Sequence, residues 1–153
     1  LMAHLLDECL QVGSKGNSKN TLFQDFGTAF AEPTGVDASE IIDALWAREK
    51  TQNTSVGYGV ALPHATLPGL DKTSLGVFTL AEPLEYGAVD GQPVDLFVVT
   101  LGPPGDRQTH LVLLATLAKL ILHTDLLNDI RQADGPAGIR QALGKNLSLL
   151  NDD

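Results

Sequence analysis

The sequence predicts an α/β protein, a three-layer α/β/α sandwich around a central mixed sheet. Helix-like periodicity lies on both sides of a middle region of short apolar runs bounded by glycine and proline. One of these runs, residues 94–101, is apolar almost without interruption, which is typical of a strand covered on both faces. Helices before, strands between and helices after therefore indicate helical layers around one sheet.

The first helix is predicted to begin at about Thr21. Before it, residues 13–20 are rich in glycine, serine, asparagine and lysine, a composition typical of a loop. Pro33 and Gly35 end the helix. Its apolar residues recur at helical spacing and are Leu22, Phe23, Phe26 and Phe30.

A second helix is predicted to begin at Asp37, with Glu40 completing a capping-box-like start. Its apolar stripe consists of Ile41, Ile42, Leu45 and Trp46. Arg48 lies near the C-terminal end, where a cation complements the helix dipole. That interaction alone would account for Arg48 without any role in chemistry.

Three strands are predicted next, over residues 56–62, 74–80 and 94–101. Glycines interrupt the first of them and Pro63 stops it. Glycine and proline at residues 102–105 end the third strand abruptly.

Three more helices complete the predicted order. A long helix is expected over residues 106–122, a short one from Asp125 through Ile130, and a last one over residues 137–143. From about Lys145 onward we expect a frayed end.

The length of 153 residues predicts one domain, residues 1–153, at roughly 150 residues per domain. The formal charge of −9 argues against nucleic acid and against an anionic membrane surface as partners. No apolar run approaches the roughly 18 residues that span a bilayer, and the N-terminus lacks the features of a signal peptide. A single cysteine, Cys9, excludes an intrachain disulfide and suits a reducing compartment, so we expect a cytoplasmic protein.

Two histidines are candidates for chemistry. His64 follows Pro63 at the predicted end of a strand, and ligands of α/β sheets usually bind at such ends. His110 lies in the first turn of the long helix, where the dipole disfavours imidazolium and backbone N–H groups suit a phosphoryl oxygen. Thr109 could cap the same helix or donate to the same anion. From position alone, an unremarkable loop histidine and an ordinary helix-start residue remain alternatives.

Other chemistries lack their signatures. The sequence contains no nucleotide-binding loop, nucleophile elbow or zinc-protease motif. His64, His110, His123 and Cys9 do not have metal-ligand spacing, so we expect no metal site.

Motifs around these histidines resemble a known family. Arg48-Glu49, Thr54, Gly57 and the run from Gly59 through Pro63-His64-Ala65 are similar to the signature of phosphotransferase-system enzyme IIA domains of the fructose/mannitol class, which includes the nitrogen-regulatory type. Gly91-Gln92-Pro93-Val94-Asp95-Leu96 and Thr109-His110-Leu111 extend the similarity in the same order. The resemblance covers residues 21–143, the expected core of the domain.

The resemblance implies a phosphoryl carrier. His64 corresponds to the family histidine that accepts phosphate from the phosphocarrier protein HPr, or from its nitrogen-branch relative, and passes it to a cysteine of a IIB partner. His110 corresponds to the supporting histidine, and Arg48 to the arginine that stabilises the phosphate. Phosphoryl transfer needs positioning and charge stabilisation more than covalent machinery, so these roles suit the residue types. The phosphoryl transfer that the resemblance implies needs no organic cofactor either.

Two other functions remain open. The domain could be a regulatory module that binds a transporter or kinase, with phosphorylation as the switch. The segment of residues 65–70 resembles variants that are attached to ion transporters or stand alone, which keeps this alternative open. A vestigial copy that no longer receives phosphate is the third, although the joint presence of His64, His110 and Arg48 argues against it.

Overall fold

The computed structural model describes residues 1–151, and the elements below lie within them. A 3-10 turn, Met2–His4, comes first. In chain order the strands and helices are β1 (Leu5–Ser14), α1 (Lys19–Thr34), α2 (Ala38–Thr51), β2 (Ser55–Gly57), β3 (Val60–Ala61), β4 (His64–Thr66), β5 (Ser74–Leu84), β6 (Val94–Gly102), α3 (Arg107–His123), α4 (Leu126–Arg131) and α5 (Pro136–Asn151).

The strands form one mixed sheet in the order β1-β5-β6-β3-β2, and β4 pairs with β6 beyond the end of β3. The pairs β1–β5, β3–β6 and β4–β6 are parallel, whereas β5–β6 and β2–β3 are antiparallel. The central strand is therefore β6, with β5 along one side and β3 and β4 along the other. The predicted three-layer α/β/α sandwich with a mixed sheet is confirmed.

Two apolar layers cover the sheet. Helices α1 and α2 pack on one face, in a cluster that contains all five phenylalanines of the chain. Helices α3, α4 and α5 pack on the other face. Alternate residues of β6 enter the two layers: Phe97 and Val99 enter the first, and Leu96 and Val98 enter the second. The continuous apolar run in the sequence reflects this burial on both faces.

The predicted strand over residues 56–62 is wrong, because the chain folds back within it. Strands β2 and β3 are antiparallel, and Gly57 pairs with Val60 across a two-residue turn at Tyr58 and Gly59. Both turn residues have positive φ, 60° and 74°, as the favoured two-residue hairpin turn requires. The glycines that interrupt the apolar pattern therefore form a turn.

Strand β1 was not predicted from the sequence, and the loop expected from residue 13 begins after Ser14 instead. Its register with β5 shifts between Leu5 and Leu10, so the apolar residues of this segment do not alternate. Without a two-residue period, the segment carried no strand signal.

Two helix predictions need correction. Helix α5 runs to Asn151, well beyond the predicted end at residue 143, so residues 145–151 are helical rather than frayed. At the start of α2 the Asp37 side chain makes no capping bond, and only its carbonyl accepts hydrogen bonds, from the N–H groups of Glu40 and Ile41. No helix among the described residues has the length and apolar content to cross a bilayer.

Candidate functional site

The candidate site lies at the carboxyl end of the central strand. His64 is the first residue of β4 and pairs with Thr100 of β6, while the Thr100 N–H donates to the Pro63 carbonyl at 3.0 Å. His64, predicted to follow the end of a strand, is thus itself part of a strand, which fixes its backbone on the sheet. From this edge the ring reaches the C-terminal end of α2 and the first turns of α3, so the structure brings His64, Arg48 and His110 together.

Hydrogen bonds define the tautomer of His64. Arg48 Nε donates to His64 Nε2 at 3.1 Å, and because a guanidinium only donates, Nε2 carries the lone pair. On the other side of the ring, Nδ1 lies 2.8 Å from the Leu62 carbonyl, which only accepts. The ring is therefore neutral, with its proton on Nδ1 and its nucleophilic pair on Nε2.

Two further hydrogen bonds fix the guanidinium of Arg48. Its Nη1 donates to the Gln52 carbonyl at 2.9 Å and to Thr51 Oγ1 at 3.2 Å. These bonds tie the side chain to the end of its own helix. The helix dipole alone would leave the Arg48 side chain in solvent. It therefore does not account for a guanidinium that is fixed next to the His64 ring.

His110 lies against the same ring. The two imidazole centroids are 4.9 Å apart, with their planes inclined by 44°. The His110 N–H donates to the carbonyl of Asp106, the residue that precedes α3, at 3.3 Å. His110 therefore occupies the start of α3, as predicted.

Both histidines are biased toward the neutral form. Burial lowers the pKa of His64 below its ordinary value, and the charge of Arg48 lowers it further, against the opposing hydrogen bond to Leu62. Burial also lowers the pKa of His110, with smaller contributions from His64 and Arg48. Burial is thus a cause of the uncharged state of His110 that the helix-dipole argument did not include.

A cleft of about 650 Å³ opens over these side chains. Its rim includes Arg107, to which the sequence analysis gave no role. Arg107 precedes His110 by three residues on α3, a spacing that puts both on one face of the helix. That spacing is the signal that would have identified a second guanidinium at the site.

Thr109 does not line this cleft. Its hydroxyl donates to Asp106 Oδ1 at 2.6 Å, and Thr73 Oγ1 donates to the other carboxylate oxygen at 2.8 Å. These two bonds fix the start of α3. Contact between Thr109 and an anion stays a prediction.

The remaining candidate ligands lie elsewhere. Cys9 is buried, and burial raises the pKa of its thiol to about 12, so the sulfur stays protonated. Within residues 1–151, no cluster of three or more histidine, cysteine, aspartate or glutamate side chains is arranged to hold a metal ion.

The sandwich is the fold of solved phosphotransferase-system enzyme IIA proteins. More narrowly, the chain belongs to the family described as the phosphoenolpyruvate-dependent sugar phosphotransferase system, EIIA 2, whose model matches residues 3–146. The family resemblance inferred from the motifs is confirmed.

Individual relatives agree with this assignment. A nitrogen regulatory protein of Bradyrhizobium diazoefficiens is 37% identical over 137 residues, which cover 89% of each chain. The crystal structure of nitrogen regulatory protein IIA-Ntr from Neisseria meningitidis superposes with a TM-score of 0.87 at 25% identity, covering 93% of this chain and 97% of that one. The same fold occurs in the enzyme IIA of the Escherichia coli mannitol system, solved in complex with its phosphorylated enzyme IIB, at a TM-score of 0.74 and 17% identity over 90% of this chain and 95% of that one.

Proposed function

We propose that this protein is a phosphoryl carrier that accepts phosphate on His64 from HPr or a nitrogen-branch relative. It then passes the group to a cysteine of a IIB domain, or uses it as a regulatory signal to a transporter or kinase. The observation that carries the proposal is the pair of bonds on His64. The Leu62 carbonyl holds the proton on Nδ1, and Arg48 meets the free pair on Nε2.

Acceptance follows from this geometry. The Nε2 pair attacks the phosphorus of the donor phosphohistidine, the new N–P bond forms, and the donor nitrogen leaves with the pair of the broken bond. Arg48 Nε–H, displaced from Nε2, turns to the phosphoryl oxygens in a charge-assisted hydrogen bond. Nδ1–H keeps its bond to Leu62 throughout, so the ring does not have to reorient.

Onward transfer reverses the roles. The thiolate of a IIB cysteine forms the S–P bond, the N–P bond breaks, and its electron pair returns to Nε2. His110 contributes an N–H to a phosphoryl oxygen on the face of the ring that it covers. The complex of mannitol enzyme IIA with phosphorylated enzyme IIB supports an acceptor of this kind.

The regulatory alternative rests on the similarity to nitrogen regulatory proteins. A phosphoryl group adds about −1.5 to −2 charges at neutral pH. On a chain that already carries −9, this addition weakens docking to an acidic partner surface. The same phosphohistidine then works as a switch.

The experiment that tests the proposal is incubation with phosphoenolpyruvate, enzyme I and HPr, followed by intact-protein mass. We expect a gain of one acid-labile phosphoryl group. If no gain occurs with HPr or with the nitrogen-branch donor, the carrier function is wrong and a binding module without phosphate chemistry takes its place.

His110→Ala separates the two half-reactions. We expect acceptance to be largely retained, because the Nε2 pair and Arg48 remain, and onward transfer to slow by about tenfold or more. Rates of labelling and of transfer to a purified IIB domain measure the two steps. His123→Ala, at the exposed end of the same helix, is the control. Normal donation by the His110 variant would show that the residue has no supporting role.

The lowered pKa of His64 predicts a shifted titration. A group that resists protonation in the folded state stays nucleophilic as the pH falls below about 6.5, the ordinary value for histidine. Because the unfolded chain takes up protons first, the free energy of unfolding also decreases as the pH falls through that value. NMR titration of the imidazole, folded and in urea, measures both pKa values. Equal values in the two states would contradict the prediction.

A further inference from the structure

Among the buried side chains that the structure describes, only Glu49 is charged, and its relative exposure is 5%. An ionised carboxylate is costly to bury unless it is paired and hydrogen-bonded. Four bonds from three residues serve it: Lys19 Nζ at 3.0 Å, the Thr54 N–H at 3.0 Å, Thr54 Oγ1 at 2.6 Å and the Tyr86 hydroxyl at 3.0 Å. Burial alone raises the pKa of Glu49, but the bonds from Thr54 and Lys19 hold it below its ordinary value, so the group is an anion.

A buried ion pair of this kind is weak evidence for a role in stability. Replacing a buried ion pair by well-packed apolar side chains is often neutral or stabilising. The Lys19 ammonium also lies 4.0 Å from the centroid of the Tyr86 ring, so α1, α2 and the loop that follows β5 are joined at one carboxylate. Directed hydrogen bonds of this kind fix the relative positions of the groups they join more strictly than apolar contacts do.

The geometry that it specifies leads to His64. The Thr54 N–H donates to Glu49, the Leu62 N–H donates to the Thr54 carbonyl at 2.9 Å, and His64 Nδ1 donates to the Leu62 carbonyl at 2.8 Å. Three successive hydrogen bonds thus connect the buried carboxylate with the nitrogen that keeps the proton of the ring.

A second connection leads through Arg48. Arg48 and Glu49 are neighbours in the last turns of α2, and both bind the segment that follows the helix. Arg48 Nη1 holds the Gln52 carbonyl, while Glu49 holds Thr54 two residues further on. The position of the guanidinium relative to β3 and β4 therefore depends on the Glu49–Thr54 bonds.

We infer that Glu49 is a positioning residue for phosphoryl transfer. It does not touch the reacting atoms. Held by Lys19 and Tyr86, its carboxylate sets the Thr54–Leu62 connection that keeps His64 in the Nδ1–H tautomer, and it aligns Arg48 with Nε2. The kinetic part of this inference rests on the proposed carrier function.

Glu49→Gln is the primary test. A glutamine keeps the size of the side chain, but its amide nitrogen accepts no hydrogen bond, so two of the four bonds that Glu49 accepts are lost. We expect the rate constant of His64 phosphorylation at saturating donor to fall about 10- to 100-fold, by analogy with the residues that orient metal-binding histidines through a hydrogen bond. The KM for the donor stays within about twofold. Glu40→Gln removes the same charge from an exposed position on the same helix and is the control.

The tautomer of His64 is measured independently of any phosphate. Long-range ¹H–¹⁵N spectra distinguish a protonated ring nitrogen from one with a free pair. We expect Nδ1–H alone in the wild type and in Glu40→Gln, and a mixture of tautomers in Glu49→Gln. A mixed tautomer in the variant, in a protein that never takes up phosphate, would refute the carrier function but support the positioning role. An unchanged tautomer together with an unchanged rate would refute the positioning role.

Tyr86→Phe keeps the test decisive if Glu49→Gln fails to fold, which circular dichroism would show. The variant removes one donor to Glu49 and retains the ring beneath Lys19. We expect the same two changes in smaller measure, a rate loss of about two- to fivefold and a minor second tautomer. A folded Tyr86→Phe protein with neither change, where Glu49→Gln is unfolded, would overturn the inference.

Discussion

We expect His64→Ala to abolish uptake of the phosphoryl group and to leave the fold intact. The substitution removes the ring nitrogen whose free pair accepts from Arg48, whereas His110, the other imidazole that lines the cleft, has no bond to that guanidinium among the described residues. The side chain is part-buried at the edge of the sheet, so its truncation leaves both apolar layers in place. Intact-protein mass after incubation with the phosphoenolpyruvate-driven donor shows the result directly.

The matched control for this experiment is His123→Ala, which removes an exposed imidazole from the last turn of α3. We expect it to gain phosphate at the rate of the wild type. Labelling of the His64 variant to the wild-type level would mean that another residue is the acceptor.

Arg48→Ala slows phosphorylation of His64 by about 100-fold or more, the loss expected when a preorganised donor to the developing charge is removed. Arg48→Lys restores only part of the rate, since an ammonium supplies charge without the planar fork that bonds His64, Thr51 and Gln52 together. Rapid-quench kinetics at saturating donor measure both variants.

Arg140→Ala serves as the control, because it removes an exposed guanidinium that pairs with Asp7 on the far edge of the sheet. Its rate is expected to equal that of the wild type. If Arg48→Ala were equally fast, the bond between the guanidinium and Nε2 would have no part in the transfer.

Local patterns in the sequence were enough to predict most of this fold. Strands β5 and β6 and helix α3 have strong periodic or continuous apolar patterns, and their predicted positions are correct to within a few residues. Strand β1 escaped prediction because its register shift destroys the alternation that marks a strand. The β2–β3 turn escaped because a tyrosine, a residue that rarely adopts positive φ, occupies a turn position.

The sequence also identified only some of the residues that form the candidate site. Pro63-His64 and Thr109-His110 are recognisable as short motifs, and the structure brings both histidines together with Arg48. Glu49 belongs to the Arg48-Glu49 motif, but no role was assigned to it from the sequence, since a glutamate near a helix end looks like any solvated charge. Its burial depends on Lys19 and Tyr86, which lie 30 and 37 residues away along the chain. Long-range pairing of this kind becomes visible only when the elements are packed.

The bond from Arg48 to Nε2 also controls which reagents can reach the histidine. In the unphosphorylated protein the guanidinium of Arg48 is bonded to the free pair of Nε2. An uncharged acylating or alkylating agent has no anionic oxygen that could replace Nε2 as the partner of the guanidinium, so it reacts poorly with this nitrogen. The oxygens of an anionic phosphoryl group are better acceptors for a guanidinium than an imidazole nitrogen is, so they replace Nε2 as its partner and free the pair. Under the proposed carrier function, the substrate thus uncovers the nucleophile that it requires, and the imidazole is protected from reagents that cannot bind Arg48.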